Sequence, residues 1–284
     1  MKRASLACLT LIAYSGIALA QTESDRVSVP LSDPSRPGTI HVNLVMGEIT
    51  VVGRDIKDVT VQIRGASTKE RPIPDEARGL RRLTQSATIA VEEHDNRVEI
   101  NSSPMRMVSL EIQVPKKTNL DLSTVNNGSI VVEGVDGELE ISNVNGQIEL
   151  TDVSGAVVAH TVNGRVLATL KRITPDKPMA FTSLNGAVDV TLPPSVKANL
   201  KLRTDNGSAF TDFELQMLPQ PDRIEIDDSR RSGRGRYRIN VNKVIYGSVN
   251  GGGPEIEMRT FNGNIYLRKS GGSSSDTAAA PSKR

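Results

Sequence analysis

From residue 118 to residue 170, apolar and polar positions alternate with a period of two, and glycine interrupts the alternation at a fixed interval. Gly128, Gly137, Gly146, Gly155 and Gly164 stand nine residues apart, most of them behind a turn former: Asn127, Asp136, Asn145, Ser154 and Asn163. Two and four residues after each glycine the chain is mostly apolar: Ile130 and Val132, Leu139 and Ile141, Ile148 and Leu150, Val157 and Ala159, Val166 and Ala168. A period of two places successive side chains on opposite faces, which predicts short half-buried strands. The glycines predict turns that use positive φ. Position seven after each of the first four glycines is apolar as well, as Val135, Val144, Val153 and Val162.

The same unit recurs outside this stretch. Asn185-Gly186 leads Val188 and Val190, and Asn206-Gly207 follows an alternating run from Asn199 to Thr204. Ile256 to Leu267, with Asn262-Gly263 inside it, aligns without a gap on Ile40 to Val51. The shared pattern is apolar-x-apolar-x-Thr-apolar-Asn-Gly-x-Ile-x-apolar. Gly128, Gly146, Gly164, Gly186 and Gly207 are then 18, 18, 22 and 21 residues apart. This predicts an all-β chain stacked as a β-solenoid or β-helix, with two strands and two turns in each coil of about 18–22 residues. Each coil adds about 4.8 Å along the axis. A meander of nine-residue hairpins is the competing reading, because Asn-Gly is also a strong hairpin signal. Side chains that repeat in kind at equivalent positions favour stacking.

Further strands are expected at 59–63, 88–92, 97–100 and 110–114. Insertions are expected near 66–86, with a short helix from Asp75 to Leu83, and near 215–236. Residues 270–284 are rich in Gly, Ser, Ala and Pro, so they read as a disordered tail.

Composition changes the picture mainly at the N-terminus. Lys2 and Arg3 precede an apolar run, and Ala18-Leu19-Ala20 is a small-x-small cleavage pattern, so residues 1–20 read as a signal peptide and the exported chain starts at Gln21. The run is too short and interrupted to span a bilayer comfortably. Its removal takes two of the 35 Lys+Arg and the single cysteine, Cys8, leaving a formally neutral chain without disulfides. Residues 21–269 then form one β domain, periplasmic, at the cell surface or extracellular.

Candidate chemistry is sparse. His41, His94 and His160 stand apart and no cysteine survives export, so neither a metal nor another cofactor is expected. Gly134-Val135-Asp136-Gly137 lacks the layout of a calcium-binding β-roll. There is no Gly-x-Ser-x-Gly elbow and no Gly-x-x-x-x-Gly-Lys loop. Glu133, Glu138, Glu140, Glu149 and Asp152 alternate with core positions, as solvated strand faces do, although a carboxylate pair on such a face can also cut polysaccharide. Arg230, Arg231, Arg234, Arg236 and Arg238 crowd one segment. They read either as a contact for anionic polymer or headgroups or as a loop neutralised by Asp222, Glu225, Asp227 and Asp228. Neutral overall charge and export disfavour nucleic acid as a partner.

The serial Val-Asn-Gly-x-Ile-x-apolar units, and the run Gly247 to Pro254 followed by Glu255 to Leu267, resemble the bacterial "putative adhesin" β-strand-repeat family over residues 38–268. The resemblance implies an exported β-solenoid-like domain and carries no catalytic residues with it. The arginine-rich segment is a departure from the family's pattern. The expected function is a non-enzymatic interaction or structural scaffold of the cell envelope or surface. Its partner is an envelope or surface component, and self-association is open to it. A polysaccharide-active enzyme and a self-assembling or stress-related periplasmic scaffold are the alternatives.

Overall fold

Alternating strands bury one face each, and the repeats solve this by lying one above another as rungs. The computed structural model describes residues 26–64, 89–102, 107–126, 128–219, 224–228, 237–241 and 244–271, with the backbone alone for 224–228 and 237–241. Among the described residues it contains 22 strands and no helix. Twenty strands form one sheet. The signal segment and the whole 66–86 insertion, with the expected helix at 75–83, lie outside the described residues.

Two ladders of mainly parallel strands run through the sheet. In the first, the order is Arg97–Ser102, Gly38–Met46, Thr118–Asn126, Asp136–Asn145, the second half of Ile148–Asn163, Met179–Asn185, Glu255–Asn262 and Ala198–Asn206. In the second it is Ser109–Pro115, Ile49–Arg54, Ile130–Glu133, the first half of Ile148–Asn163, Val166–Ile173, Val188–Leu192, Ile265–Lys269 and Ala209–Thr211. Asn145 pairs with Asn163, and Asn163 with Asn185, which are the 18- and 22-residue steps read from the sequence. Parallel pairing across these steps excludes the hairpin meander there.

Stacking order departs from chain order at both ends. Glu255–Asn262 lies between Met179–Asn185 and Ala198–Asn206, so the C-terminal repeat is an interior rung. The expected step from Gly186 to Gly207 is therefore not a contact. The cause is the run 193–254, which carries one repeat outward and returns the chain beneath it. At the other end, Arg97–Ser102 and Ser109–Pro115 lie outside the 38–54 rung.

Inward residues form one core, including Ile40, Val42, Leu120, Leu122, Ile148, Leu150, Phe181, Val188, Ile256 and Ile265, all essentially inaccessible. Antiparallel strands cover its ends: Ile89–His94 and Val59–Arg64 at one, Val244–Val249 at the other. Such covering strands leave less parallel edge open to another chain. The expected 215–236 insertion includes Gln216–Met217, paired with Val244–Val249, and Ile224–Asp228, which pairs antiparallel with Tyr237–Val241 just beyond the expected boundary.

The glycine corners hold the stack in register. A Cβ on Gly128 would sit 1.6 Å from the Gly47 carbonyl oxygen, on Gly146 1.9 Å from that of Gly128, and on Gly164 2.1 Å from that of Gly146. The series continues through Gly186, Gly263 and Gly207. Of the seven, Gly128, Gly146, Gly164 and Gly207 do not have positive φ. Close approach of successive rungs, rather than turn conformation, is what requires glycine there. Gly137 and Gly155 stack at a different corner, which resolves the nine-residue period into two sets of eighteen.

Two side-chain series run beside the glycines. Thr124, Thr161, Ser183, Thr260 and Thr204 each donate a hydroxyl hydrogen bond to the glycine carbonyl of a neighbouring rung, at 2.7–3.1 Å. Asn143 fills the same place with its amide, its Oδ1 buried without a partner. Outside, the Nδ2 of Asn145, Asn163, Asn185, Asn262 and Asn206 each donate to the Oδ1 of the next asparagine, from Asn126 onward, at 2.7–3.0 Å. Asn163→Asp replaces a donor by a carboxylate facing the Asn145 oxygen. It is expected to cost about 1–2 kcal/mol and to lower the melting temperature by about 2–8 °C, read by circular dichroism against Asn163→Ser.

Candidate interaction surfaces

Because the strands are in register, outward residues form columns along the stack. On the first ladder one column runs Thr39, Asn119, Glu138 and Ala156, and a second runs His41, Asp121, Glu140, Val158 and Ala180. With Lys177 and Pro178 at its rim, this surface forms an open groove of about 620 Å³. His41 Nδ1 lies 2.7 Å from Asp121 Oδ2, and the Lys177 ammonium contacts the Glu138 carboxylate. The Glu140 carboxylate has no hydrogen-bond or ion-pair partner among the described residues. Val158 is 46% exposed on the groove floor. Acidic groups over an apolar floor suit a ligand that carries both a donor and an apolar part. Among the described residues, no three His, Cys, Asp or Glu side chains group as metal ligands.

The next columns toward the corner are uncharged over most of their length. Asn43, Ser123, Ser142, His160 and Thr182 form one, with His160 Nδ1 2.7 Å from the Thr182 hydroxyl. The residues that precede the asparagine ladder form the other: Val45, Val125, Val144, Val162, Leu184 and Phe261. These point outward, whereas Val135 and Val153, at the same offset from alternate glycines, are buried. The apolar seventh position therefore splits into a core set and a surface set.

The second ladder carries an aromatic pair. Phe210 stacks on Tyr266 with centroids 5.4 Å apart and planes at 14°, and Phe210 is 52% exposed. Arg268 lies 5.1 Å from the Tyr266 ring centre and contacts Asp189 at 2.9 Å. Hydrogen bonding to the Asp189 carboxylate holds the Arg268 guanidinium above its ordinary pKa. Asn264 donates to the Tyr266 hydroxyl at 3.0 Å. The aromatic-poor sequence gave little reason to expect such a pair. It exists because the interior C-terminal rung brings residues 210 and 266 together.

Of the residues singled out in the sequence, Asn145, Asn163, Asn185, Asn206 and Asn262 form the amide ladder, and their glycines form the corner stack. Asn127 lies outside the described residues, and Asn126 holds the ladder position there. Arg230, Arg231, Arg234 and Arg236 also lie outside them. Arg238 belongs to Tyr237–Val241, where its Cα partner is Asp227.

No family model and no curated protein matches the chain. Among solved structures, it is similar to a "putative cell adhesion protein" from Clostridium sporogenes, at 11% identity over 87% of this chain and 100% of that one, with a TM-score of 0.41. It is also similar to "putative adhesins" from Bacteroides fragilis and Parabacteroides merdae. The first is 11% identical, over 88% of this chain and 98% of that one, with a TM-score of 0.28. The second is 8% identical, over 87% and 96%, with a TM-score of 0.27. The solved chains are thus described as "putative adhesins" or a "putative cell adhesion protein".

Proposed function

We propose that the chain is an exported, non-enzymatic scaffold of the cell envelope or cell surface, folded as a single β-solenoid domain over residues 21–269. Its outward columns engage an envelope or surface component. The observation that carries this reading is the disposition of the outward polar groups. They run in lines and engage the rungs beside them, as in the asparagine ladder, His41 with Asp121 and Arg268 with Asp189. A catalytic site needs groups that converge on one reacting atom. The signal-like residues 1–20, the neutral cysteine-free remainder and the adhesin-type resemblance support the same reading.

Fractionation of the native cell, with mass analysis of the purified protein, tests it. The expected result is a chain beginning at Gln21 in the envelope or medium. A photo-crosslinker at Val158 is expected to capture an envelope component. An intact N-terminus in the cytoplasm overturns the reading. The polysaccharide-active alternative draws on Asp121 and Glu140, which are Cα partners on neighbouring strands. It predicts new reducing ends from envelope polysaccharide, lost in Glu140→Gln. On the scaffold reading no reducing ends form with either protein.

A further inference from the structure

The line of Val45, Val125, Val144, Val162, Leu184 and Phe261 has a character that neither the core nor the corner chemistry explains. Leu184 and Phe261 are each 45% exposed and Val125 36%, all on the outer face. Scattered apolar residues on a surface need no explanation, whereas a contiguous line marks a contact. Six rungs at about 4.8 Å spacing make this line roughly 24 Å long.

Its borders are neutral. On one side lie Asn126, Asn145, Asn163, Asn185 and Asn262, whose amides are engaged along the ladder. On the other lie Asn43, Ser123, Ser142, His160 and Thr182. Charge returns only at the Phe261 end, with Arg259 and the Arg203–Asp205 pair. We infer that this face is the contact between two copies of the chain, packed face to face with the apolar lines against each other.

The chemistry selects a second copy over other occupants. A two-fold contact sets residues near its axis against their own kind and the rest against other residues of the same face, so a face without charge packs on itself with no like-charge cost, and this one is neutral over five rungs. Valine columns between amide and hydroxyl columns are self-complementary, as in paired sheets with dry interfaces. A membrane requires a broad apolar area or a cationic rim, and the line is one residue wide. An added β-strand requires a free backbone edge, which an outer sheet face does not offer.

The neutral strip, about 19 Å by 15 Å, covers roughly 300 Å² per partner, below the roughly 800 Å² typical of stable complexes. The association is therefore weak, with dimers forming above about 100 µM and absent at low micromolar concentration. This inference does not rest on the nature of the envelope partner.

Sedimentation velocity of the exported chain from about 5 to 500 µM tests it. The expected result is a concentration-dependent dimer that Leu184→Asp and, separately, Val125→Glu weaken at least tenfold, with melting temperatures close to the parent's. Thr169→Asp, on the second ladder, leaves the dimer intact. Since the exported chain is read as cysteine-free, Val162→Cys is expected to give dimers with a bis-maleimide, and Thr169→Cys is not. A monomer throughout the range, or a dimer unaffected by both stripe variants, overturns the inference. So does flotation with neutral phosphatidylcholine vesicles that Leu184→Asp abolishes, which would assign the stripe to lipid.

Discussion

Gly164→Ala is expected to lower the melting temperature by roughly 8–16 °C, about 4 kcal/mol or more, whereas Gly247→Ala is expected to change it by less than about 3 °C. The two glycines lie in the same sheet and differ in what a methyl group would meet. At Gly164 the new carbon falls 2.1 Å from the Gly146 carbonyl oxygen and 2.5 Å from its carbonyl carbon. Both are backbone atoms of the next rung, tied down by hydrogen bonds from Thr161 to the Gly146 oxygen and from the Gly146 amide to Asn163. No rotamer relieves the collision, so the rungs must separate by an ångström or more and those bonds break. At Gly247 the nearest heavy atom is 3.6 Å away, ordinary contact distance, and φ is not positive. There, restricting the unfolded chain offsets the change, by about 0.4–1 kcal/mol. Circular dichroism melts of both variants check the contrast. Equal losses would show that rung spacing does not set the glycine requirement.

Much of this corner was legible in the repeats. Strand type followed from the alternation, and the 18- and 22-residue steps followed from glycine spacing between 128 and 186. Side-chain parity carried more than the glycine spacing alone. In the shared pattern Thr sits in phase with the apolar positions, so it must point inward, where its hydroxyl needs an acceptor. The apolar residue just before Asn is out of phase, so it must point outward. Thr161 at 0% exposure and Leu184 at 45% are the two results.

The stacking order at the ends was not legible. Repeats with the same pattern fit the same groove, so local sequence cannot tell whether 198–211 or 255–269 docks on 179–192. That choice depends on the long connection 193–254. The Phe210–Tyr266 pair was hidden for the same reason, since residues 56 apart become neighbours only in this order. The groove was hidden differently. Its lining from five segments depends on the register of the strand starts, which nine-residue spacing leaves open by two residues.

The interior position of the C-terminal rung leads to the second large effect. Ending the chain at Pro254 is expected to abolish cooperative folding, while joining Lys197 directly to Pro254, which deletes the much longer segment 198–253, is expected to leave a folded core of lower melting temperature. The first removes Ile256, Met258, Ile265 and Leu267, all buried. At about 1.5–3 kcal/mol each, their loss amounts to roughly 6–12 kcal/mol, comparable to the whole stability of a typical domain. It also leaves Ala198–Asn206 and Ala209–Thr211 without their parallel partners and uncovers Phe181. The second also removes buried side chains, among them Leu200, Leu202, Phe213 and Val249, but all of them lie outside the C-terminal rung, with the covering strand Val244–Val249, so no remaining rung is cut out of the stack. Its junction is short, because a Cβ on Gly253 would lie 2.3 Å from the Lys197 carbonyl oxygen. Glu255–Asn262 then remains on Met179–Asn185, with Asn262 still donating to Asn185. Thermal melts and amide exchange of the two deletions decide the matter. A cooperative transition in the chain ending at Pro254 would mean that the 198–211 repeat can dock on 179–192 in its place, and that the interior rung is a preference of the stack rather than a requirement.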